Sequence, residues 1–295
     1  MRLMHRGLEI GLDSKADDIS FLSHAHSDHL FNANSCPVLT SHETRALANI
    51  KGENVNVSGV RLIEAGHILG ARQLVLEGDK KIVYTGDISL KNNIFDFKAK
   101  IEECDYLIIE STYASPEYKF PDPFEIYDEI SKWVKMNENK IVLIGAYELG
   151  KAQELIRVLN EYNHIVPLVT QKTDFFCSVY ESFGFKLDRI AIGSEEAEEA
   201  LNHPFVAVIP MRLAKKNFAM RLKEAFGKET LVSVASGWAL RFKYNVDRSF
   251  PLSDHADFDD LLFYIEQSNP KNVEFFDGGG EHLLKKIKNK EMISC

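Results

Sequence analysis

The sequence predicts an α/β protein with two kinds of organisation along one chain. The first third is rich in short apolar runs of strand character, at residues 7–12, 19–23, 73–77, 81–85 and 106–110. The middle alternates strand and helix patterns, which is typical of a parallel sheet covered by helices. The length of 295 residues, 45% of them hydrophobic, suits one large domain or two of ordinary size.

Turn and cap residues support the elements of the first third. The strands at 73–77 and 81–85 are joined by Gly78-Asp79-Lys80, which is a hairpin signature. A helix is predicted over 41–49, with Ser41 as its N-cap. The strand at 106–110 ends in the carboxylate of Glu110.

The pattern changes after Ser115-Pro116. Asp122 can cap a new helix, with Pro123 at its first position. The strands predicted beyond it lie at 141–144, 165–169, 189–192 and 205–209, and the helices at 149–162, 175–183, 195–200 and 213–226. The elements predicted after Thr230 are a strand at 231–235, a helix at 257–266, a strand at 272–276 and a final basic helix.

Composition excludes several classes of protein. The net charge of −9 excludes a generally basic nucleic-acid coat, although a local groove of cations remains compatible with it. No apolar run approaches the roughly 18 residues that cross a bilayer, so we expect a cytoplasmic protein without a membrane partner. The cysteines are far apart and form no CxxC pair, at Cys36, Cys104, Cys177 and Cys295. Any metal site must therefore rest on His, Asp and Glu.

The stretch His24-Ala25-His26-Ser27-Asp28-His29 is the strongest chemical signal in the chain. Side chains that alternate at the end of a strand can point to one place, and imidazole is the commonest metal-binding side chain. The stretch can offer His24 and His26 to one ion, and Asp28 and His29 to a second. A solvated polar loop is the alternative, but four ligands in six positions disfavour it.

Two further polar residues lie where a metal site would need them. His67 is flanked by Gly66 and Gly70, and glycine allows a close approach of the backbone. Asp87 follows the second strand of the predicted hairpin, where a carboxylate could bridge two cations. Either residue alone would more often be structural. Their clustering with the histidine stretch at strand ends favours a functional site.

The ordered series Asp13, His24-x-His26-x-Asp28-His29, His67 and Asp87 resembles the metallo-β-lactamase superfamily. Narrower motifs are similar to the β-CASP nucleases, which include ribonuclease J, the nuclease subunit of the pre-mRNA cleavage and polyadenylation machinery, and Artemis. These motifs are residues 65–71, Tyr84-Thr85-Gly86-Asp87, Glu110-Ser111-Thr112-Tyr113 and Ser253-Asp254-His255-Ala256-Asp257. The likeness is greatest to compact prokaryotic members of the mRNA 3′-end processing or ligase-associated exonuclease type.

The resemblance implies a four-layer αββα metallo-β-lactamase fold with an inserted β-CASP cap domain, a parallel sheet with helices. By this interpretation residues 1–116 and 231–295 form the metallo-β-lactamase domain, and residues 117–230 form the cap. The change of pattern near Pro116 and its return near Thr230 match such an insertion.

The resemblance also implies roles for single residues. The expected ligands of two Zn²⁺ ions, with Mn²⁺ as an alternative metal, are His24, His26 and His67 for the first, Asp28 and His29 for the second, and Asp87 bridging both. Asp13 would support the ligands, and Glu110 and His255 would match two β-CASP motifs. His255 is expected near the leaving oxygen.

At the last family motif this chain differs from the family pattern. Where family members that process RNA end a strand with His-Gly, this chain has Phe276-Asp277-Gly278. Asp277 occupies the histidine position and can still bind zinc. His282 is the alternative ligand.

The resemblance implies a zinc-dependent nuclease that hydrolyses phosphodiester bonds of single-stranded nucleic acid, with a metal-activated water as the nucleophile. RNA is favoured over DNA as the substrate, and the choice between them stays open. Ser236 and Arg241 are candidates for contacts with substrate phosphates. Two other functions stay open: a non-catalytic nucleic-acid-binding partner of a processing complex, and a small-molecule metallohydrolase. The choice between exonuclease and endoribonuclease, and between monomer and homodimer, is open as well.

Overall fold

The computed structural model describes residues 1–33 and 36–293, so Cys295 lies outside the described residues. The chain divides into two compact units. The first comprises Met1–Asn92, Phe97–Lys119 and the chain from Asp254 onward; the second comprises Asn93–Asp96 and Phe120–Ser253. Both combine helices with sheets, which confirms the α/β class predicted from the sequence.

The regular elements follow one another in three segments. The first segment contains β1 (Arg2–His5), β2 (Leu8–Leu12), β3 (Ile19–Phe21), β4 (Val38–Leu39), α1 (His42–Leu47), β5 (Val60–Glu64), β6 (Arg72–Leu76), β7 (Ile82–Tyr84) and β8 (Tyr106–Glu110). The middle segment contains α2 (Pro123–Lys135), β9 (Ile141–Ala146), α3 (Lys151–Val158), β10 (Leu168–Val169), α4 (Gln171–Ser182), β11 (Ile190–Ala191), α5 (Glu195–Ala200), β12 (Val206–Pro210), α6 (Lys216–Phe226), β13 (Thr230–Ala235) and β14 (Arg248–Phe250). The last segment contains α7 (Phe258–Ser268), β15 (Asn272–Phe276) and α8 (Glu281–Ile293).

Two sheets face each other in the first unit. One has the order β1-β2-β3-β4 and the other β15-β8-β7-β6-β5. Their facing sides share one apolar core, in which Ile10 and Phe21 of the first sheet pack with Leu74 and Ile108 of the second. This burial removes apolar surface from water and fixes the strand register, because a shift by one residue would turn the apolar side chains outward.

Helix α7 packs on the outer side of the five-stranded sheet. On the five-stranded sheet, the Tyr264 hydroxyl of α7 donates to Gln73 Oε1 at 2.6 Å. On the four-stranded sheet, Leu22, Val38 and Ile50 form a separate small core beyond the end of α1.

The second unit is built on a parallel sheet of order β11-β10-β12-β9-β13-β14. All six residues of β9 are buried, as expected for a central parallel strand covered on both sides. One side packs against α5 and α6 through Ala197 and Ala219. Asp122 caps α2 by accepting a hydrogen bond from Phe124 N–H at 2.8 Å, as its sequence predicts.

The chain returns from the second unit later than the sequence indicated. The expected boundary at residue 231 assigned the strand after Thr230 to the first unit. In the structure β13 pairs in parallel with β9, and β14 pairs with β13, so the second unit continues to Ser253. It also includes Asn93–Asp96, where Phe95 packs against Tyr180 with ring centroids 5.5 Å apart. Pairing between strands distant in sequence decides both boundaries.

Four strands of the described residues were not predicted: β1, β4, β5 and β14. β1 pairs antiparallel with β2, and β5 pairs antiparallel with β6. Their burial is mostly partial, so their apolar patterns are weak. Within the described part of the chain, no helix combines the length and the apolar character needed to cross a bilayer.

We expect Tyr264→Phe to lower the free energy of unfolding of the first unit by about 1–3 kcal/mol, because the fully buried Gln73 Oε1 loses its donor. Hydrogen exchange of the β6 amides measures this unit, whereas both tryptophans lie in the second. The matched control is Tyr106→Phe, whose hydroxyl donates to Glu274 at a site that is only partly buried, and it should cost less than about 1 kcal/mol. Equal effects of the two variants would contradict the conclusion that the buried hydrogen bond from Tyr264 to Gln73 stabilises the first unit.

Candidate metal centre

Among the described residues, potential metal ligands form three groups that share one carboxylate, Asp87. Within each group the ligand atoms lie within 4.8 Å of one another. The three groups are His24, His26, His67 and Asp87; His29, Asp87 and Asp277; and Asp87, Glu110 and His255. All of these residues belong to the first unit.

Strand ends and tight turns bring these residues together. The histidine stretch begins three residues after the end of β3, Asp87 follows β7, Glu110 ends β8 and Asp277 follows β15. His67 lies in the turn between β5 and β6, next to Gly66, which has φ of 76°. A Cβ atom on Gly66 would lie 2.4 Å from Ala99 N, so only glycine allows the chain to pass there.

The first group has the spacing of a four-coordinate metal site. His67 Nε2 lies 3.0 Å from His26 Nδ1 and 3.7 Å from Asp87 Oδ2. His24 Nε2 lies 3.4 Å from the same Oδ2. Ligand atoms of a tetrahedral zinc ion are about 3.3 Å apart, given bonds of about 2.0 Å. The residues therefore fit Zn²⁺ in number, type and spacing.

Hydrogen bonds at the far side of each ring set the tautomers that a metal requires. His67 Nδ1 donates to the carbonyl oxygen of Asp254 at 2.9 Å. His24 Nδ1 lies 2.9 Å from Ser23 Oγ, which donates its own proton to Asp13 and so accepts from the ring. Both rings thus present an unprotonated Nε2 to the cluster.

Asp13 organises the surroundings of the centre. Its Oδ2 accepts hydrogen bonds from Ser23 Oγ at 2.7 Å, His29 Nδ1 at 2.8 Å and the Tyr84 hydroxyl at 2.8 Å. Its Oδ1 accepts from the Ser23 N–H at 2.6 Å. Asp13 adopts φ of 43°, a left-handed conformation that aspartate tolerates better than most residues. This geometry agrees with the supporting role predicted for Asp13.

Buried polar atoms without partners indicate that the centre suits a cation. His24 Nε2 and Asp87 Oδ1 are buried and make no hydrogen bond. Burial lowers the pKa of His24 and of His67 well below the usual histidine value, which keeps both rings neutral and able to bind metal. Burial opposes ionisation of Asp87, but the imidazoles around it, chiefly His255 and His24, hold its pKa well below its usual range.

The second group is more acidic. His29 Nε2 lies 3.4 Å from Asp87 Oδ2 and 3.9 Å from Asp277 Oδ2. Burial opposes the charged form of His29, but hydrogen bonds to Asp13 and Asp87 outweigh it and raise its pKa to about 11. These two carboxylates thus favour a positive charge at this position, from a protonated His29 or from a metal ion.

The structure distinguishes among the candidate ligands of the second ion. Asp277 lies in the group, whereas His282 is exposed in the first turn of α8 and belongs to none of the ligand groups found among the described residues. Asp28, predicted as a ligand, is exposed and outside those groups as well. It lies near enough for its charge to contribute, with burial, to the raised pKa of Asp277. Its role as a ligand stays a prediction.

Glu110 and His255 form an acid–base pair beside Asp87. Glu110 is fully buried, and its Oε1 accepts a hydrogen bond from Ile88 N–H at 2.7 Å. Its Oε2 accepts from His255 Nδ1 at 3.0 Å. Burial raises the pKa of Glu110. His255 Nε2 lies 4.0 Å from Asp87 Oδ2, so this nitrogen faces the centre while the other is held by Glu110.

Ser236 and Arg241, the candidates for phosphate contacts, belong to the second unit. Ser236 is buried, and its hydroxyl accepts from Trp238 N–H at 3.3 Å as the cap of a short 3-10 helix. Arg241 is exposed just after that helix. Ser236 therefore has a structural task of its own, and the binding roles of both residues stay predictions.

Comparisons with known proteins agree with these motifs. A probable DNA ligase of Opitutus terrae is 29% identical over 92% of this chain, which corresponds to 28% of the ligase. An RNase J-like protein of Methanocaldococcus jannaschii is 38% identical over 35% of this chain and 25% of that protein. The resemblance predicted from the motifs is confirmed. The chain resembles the β-CASP nucleases of the metallo-β-lactamase superfamily.

The homology covers a limited part of each relative. The chain spans about a quarter of the length of the probable DNA ligase and of the RNase J-like protein. No family model matches it. A protein of unknown function from Enterococcus faecalis has a similar fold, with a TM-score of 0.61 and 16% identity over 90% of this chain and 77% of that structure.

Some supporting groups could not be recognised in the sequence. Ser23 joins Asp13 to His24, and its only signal is its position directly before the histidine stretch. Asp254 acts through its backbone carbonyl, which carries no sequence signal. Tyr84 lies in one of the β-CASP motifs, but its bond to Asp13 depends on the packing of β7 against β2.

We expect Zn²⁺ to stabilise the chelator-treated protein by about 2.7 kcal/mol when the free ion exceeds its Kd by about 100-fold. His24→Ala should lose most of this gain because it removes a buried ligand of the first group. His42→Ala removes an exposed imidazole outside the groups and should keep it. Thermal unfolding with and without Zn²⁺ measures the effect, and an unchanged gain in His24→Ala would refute the site.

Proposed function

We propose that this chain is a metal-dependent nuclease that hydrolyses phosphodiester bonds of single-stranded nucleic acid. One observation carries the proposal: Asp87 is shared by two groups of metal ligands and by the Glu110–His255 pair. Phosphodiester hydrolysis needs a nucleophile, compensation of negative charge and a proton for the leaving oxygen. The three groups offer one component for each of these needs.

The first two groups would hold the ions. His24, His26 and His67 would bind a first ion, His29 and Asp277 a second, with Asp87 between them. Two divalent cations bound there would provide a water that is nucleophilic near neutral pH, and would neutralise charge on the phosphoryl oxygens. Asp13 keeps the ring of His29 oriented, and together with Ser23 that of His24.

His255 would serve the leaving oxygen. Glu110 accepts from Nδ1, which fixes the ring and leaves Nε2 directed at the centre. The side chain of His255 is 21% exposed, so a substrate can reach it, whereas Glu110 is sealed from water. A ring held this way can donate a hydrogen bond or a proton from Nε2 to the departing 3′ oxygen.

The second unit would be the β-CASP cap of this nuclease. Its parallel sheet packed against helices, inserted between Lys119 and Asp254, supports this assignment. The homology to an RNase J-like protein supports RNA as the substrate.

DNA is the second candidate substrate. It is favoured by the match to a probable DNA ligase, which extends over 92% of this chain. Single-stranded RNA and DNA of one sequence, labelled at the 5′ or the 3′ end and digested side by side, would distinguish the substrates. The same digests would show whether cleavage starts at an end, and at which one.

We expect the protein loaded with Zn²⁺ or Mn²⁺ to degrade labelled single-stranded oligonucleotides, and Asp87→Ala to abolish this activity because all three groups lose their common member. Asp79→Ala, which removes an exposed carboxylate in the β6–β7 turn, should leave the rate unchanged. Cleavage by Asp87→Ala at the wild-type rate would refute the proposal. Tight oligonucleotide binding without any cleavage or metal would instead support a non-catalytic role.

We expect His255→Ala to lower kcat by about 10²–10⁴-fold while the bound metal is retained, because this residue moves a proton rather than holding an ion. Metal content from elemental analysis and single-turnover cleavage rates measure the two effects separately. His42→Ala is again the matched control. A loss of metal in His255→Ala would show that the ring is a ligand and not the acid.

A further inference from the structure

The two metal positions that share Asp87 differ in donor chemistry. The first offers three imidazole nitrogens and one carboxylate. The second offers one imidazole, from His29, and two carboxylates, from Asp87 and Asp277. Imidazole-rich sites suit zinc, whereas sites of carboxylate and water suit harder cations such as Mn²⁺ and Mg²⁺.

The groups around the two metal positions increase the difference between their donor chemistries. The carboxylate of Asp13 also adjoins the second position, since its Oδ2 lies 2.8 Å from His29 Nδ1. On the side of the first position, by contrast, the rings of His24 and His67 are buried and only Asp87 supplies a carboxylate. A hard divalent cation is held largely by such negative charge.

The second position is also more accessible to water than the first. The side chain of Asp277 is 57% exposed, whereas those of His24 and His67 are at most 1% exposed. Manganese and magnesium prefer six ligands and keep several waters when the protein supplies few. The second position leaves room for such waters, and the first is enclosed by rings.

The position of Asp277 is set by the fold. Ser111 N–H and Ser111 Oγ both donate to the carbonyl oxygen of Phe276, at 2.9 and 2.7 Å. A Cβ atom on Gly278 would lie 2.4 Å from Ser111 O, so the turn packs directly on the end of β8. Asp277 has φ of 55° between these two fixed points. Its carboxylate is thus held beside His29.

An unpartnered atom points to a ligand here as well. Asp87 is 5% exposed, and the imidazoles of both positions approach its Oδ2, while its Oδ1 has no hydrogen-bond partner. A carboxylate with one oxygen unpartnered inside the protein can serve a second cation without giving up the first.

We propose that the centre is heterobinuclear, with Zn²⁺ at the histidine position and a hard divalent cation of the Mn²⁺ class at the position of His29, Asp87 and Asp277. This inference rests on the metal centre of the proposed function and adds the identity of its second ion. Zinc binds most nitrogen and oxygen sites more tightly than manganese, so the difference shows when manganese is in excess, as metal availability decides such cases.

The test uses the full chain, freed of metal with a chelator and dialysed against Zn²⁺ with a large excess of Mn²⁺. Elemental analysis should then give one zinc and one manganese per chain, and the sharp electron paramagnetic resonance spectrum of free Mn²⁺ should be lost as the ion binds. Two zinc ions and no manganese in the wild type would overturn the inference.

Asp277→His makes the second position richer in imidazole. It should weaken Mn²⁺ binding, followed by the same resonance signal, by at least about tenfold and lead to two zinc ions per chain. The matched control is Asp79→His, the same change at an exposed turn outside the groups, which should bind one of each metal. Unchanged manganese binding in Asp277→His would also count against the inference.

The results separate this inference from the proposed function. If the chain binds neither metal and cleaves no nucleic acid, both the proposed function and this inference are contradicted. If the chain binds two zinc ions and cleaves single strands, the proposed function is supported and only this inference is contradicted.

Discussion

The centre depends on one constraint, the negative charge of Asp87 inside the protein. A carboxylate that is 5% exposed needs nearby positive charge or hydrogen bonds, because an isolated buried charge is strongly unfavourable. Here one oxygen is approached by imidazoles and the other has no partner. Two of those imidazoles are neutral as a result of burial, so the compensating positive charge comes from a protonated His29 or from a bound cation.

The rest of the first unit can be understood as the framework that holds this charge in place. Two sheets share an apolar core, and their strand ends deliver ligands from distant parts of the chain to one point. Asp13 then links the ends of β2, β3 and β7 through hydrogen bonds to Ser23, His29 and Tyr84. Because strands and hydrogen bonds both fix the rings, the candidate ligands are oriented in advance, which would reduce the cost of ordering them around an ion.

Much of this centre could be predicted from the sequence because its ligands lie in short motifs. His24, His26, His67 and Asp87 are each marked by the strand or glycine beside them, and they do form one group. Asp28 could not be judged in advance, since whether a loop side chain turns inward depends on the fold around it. The domain boundary was placed too early for a related reason: nothing near Thr230 indicates that β13 pairs with β9, about 90 residues earlier. Pairings of this kind follow from long-range packing, which local patterns do not encode.

The shared carboxylate also determines which residues can reveal separate functions. A change at Asp87 removes a member of every group, so its effect cannot assign the metal positions or the acid–base pair individually. His24, Asp277 and His255 each belong to one group only. Effects of residues that act through a common partner are not additive. The residues outside the shared position therefore carry the information about which ion, or which proton, each part of the centre controls.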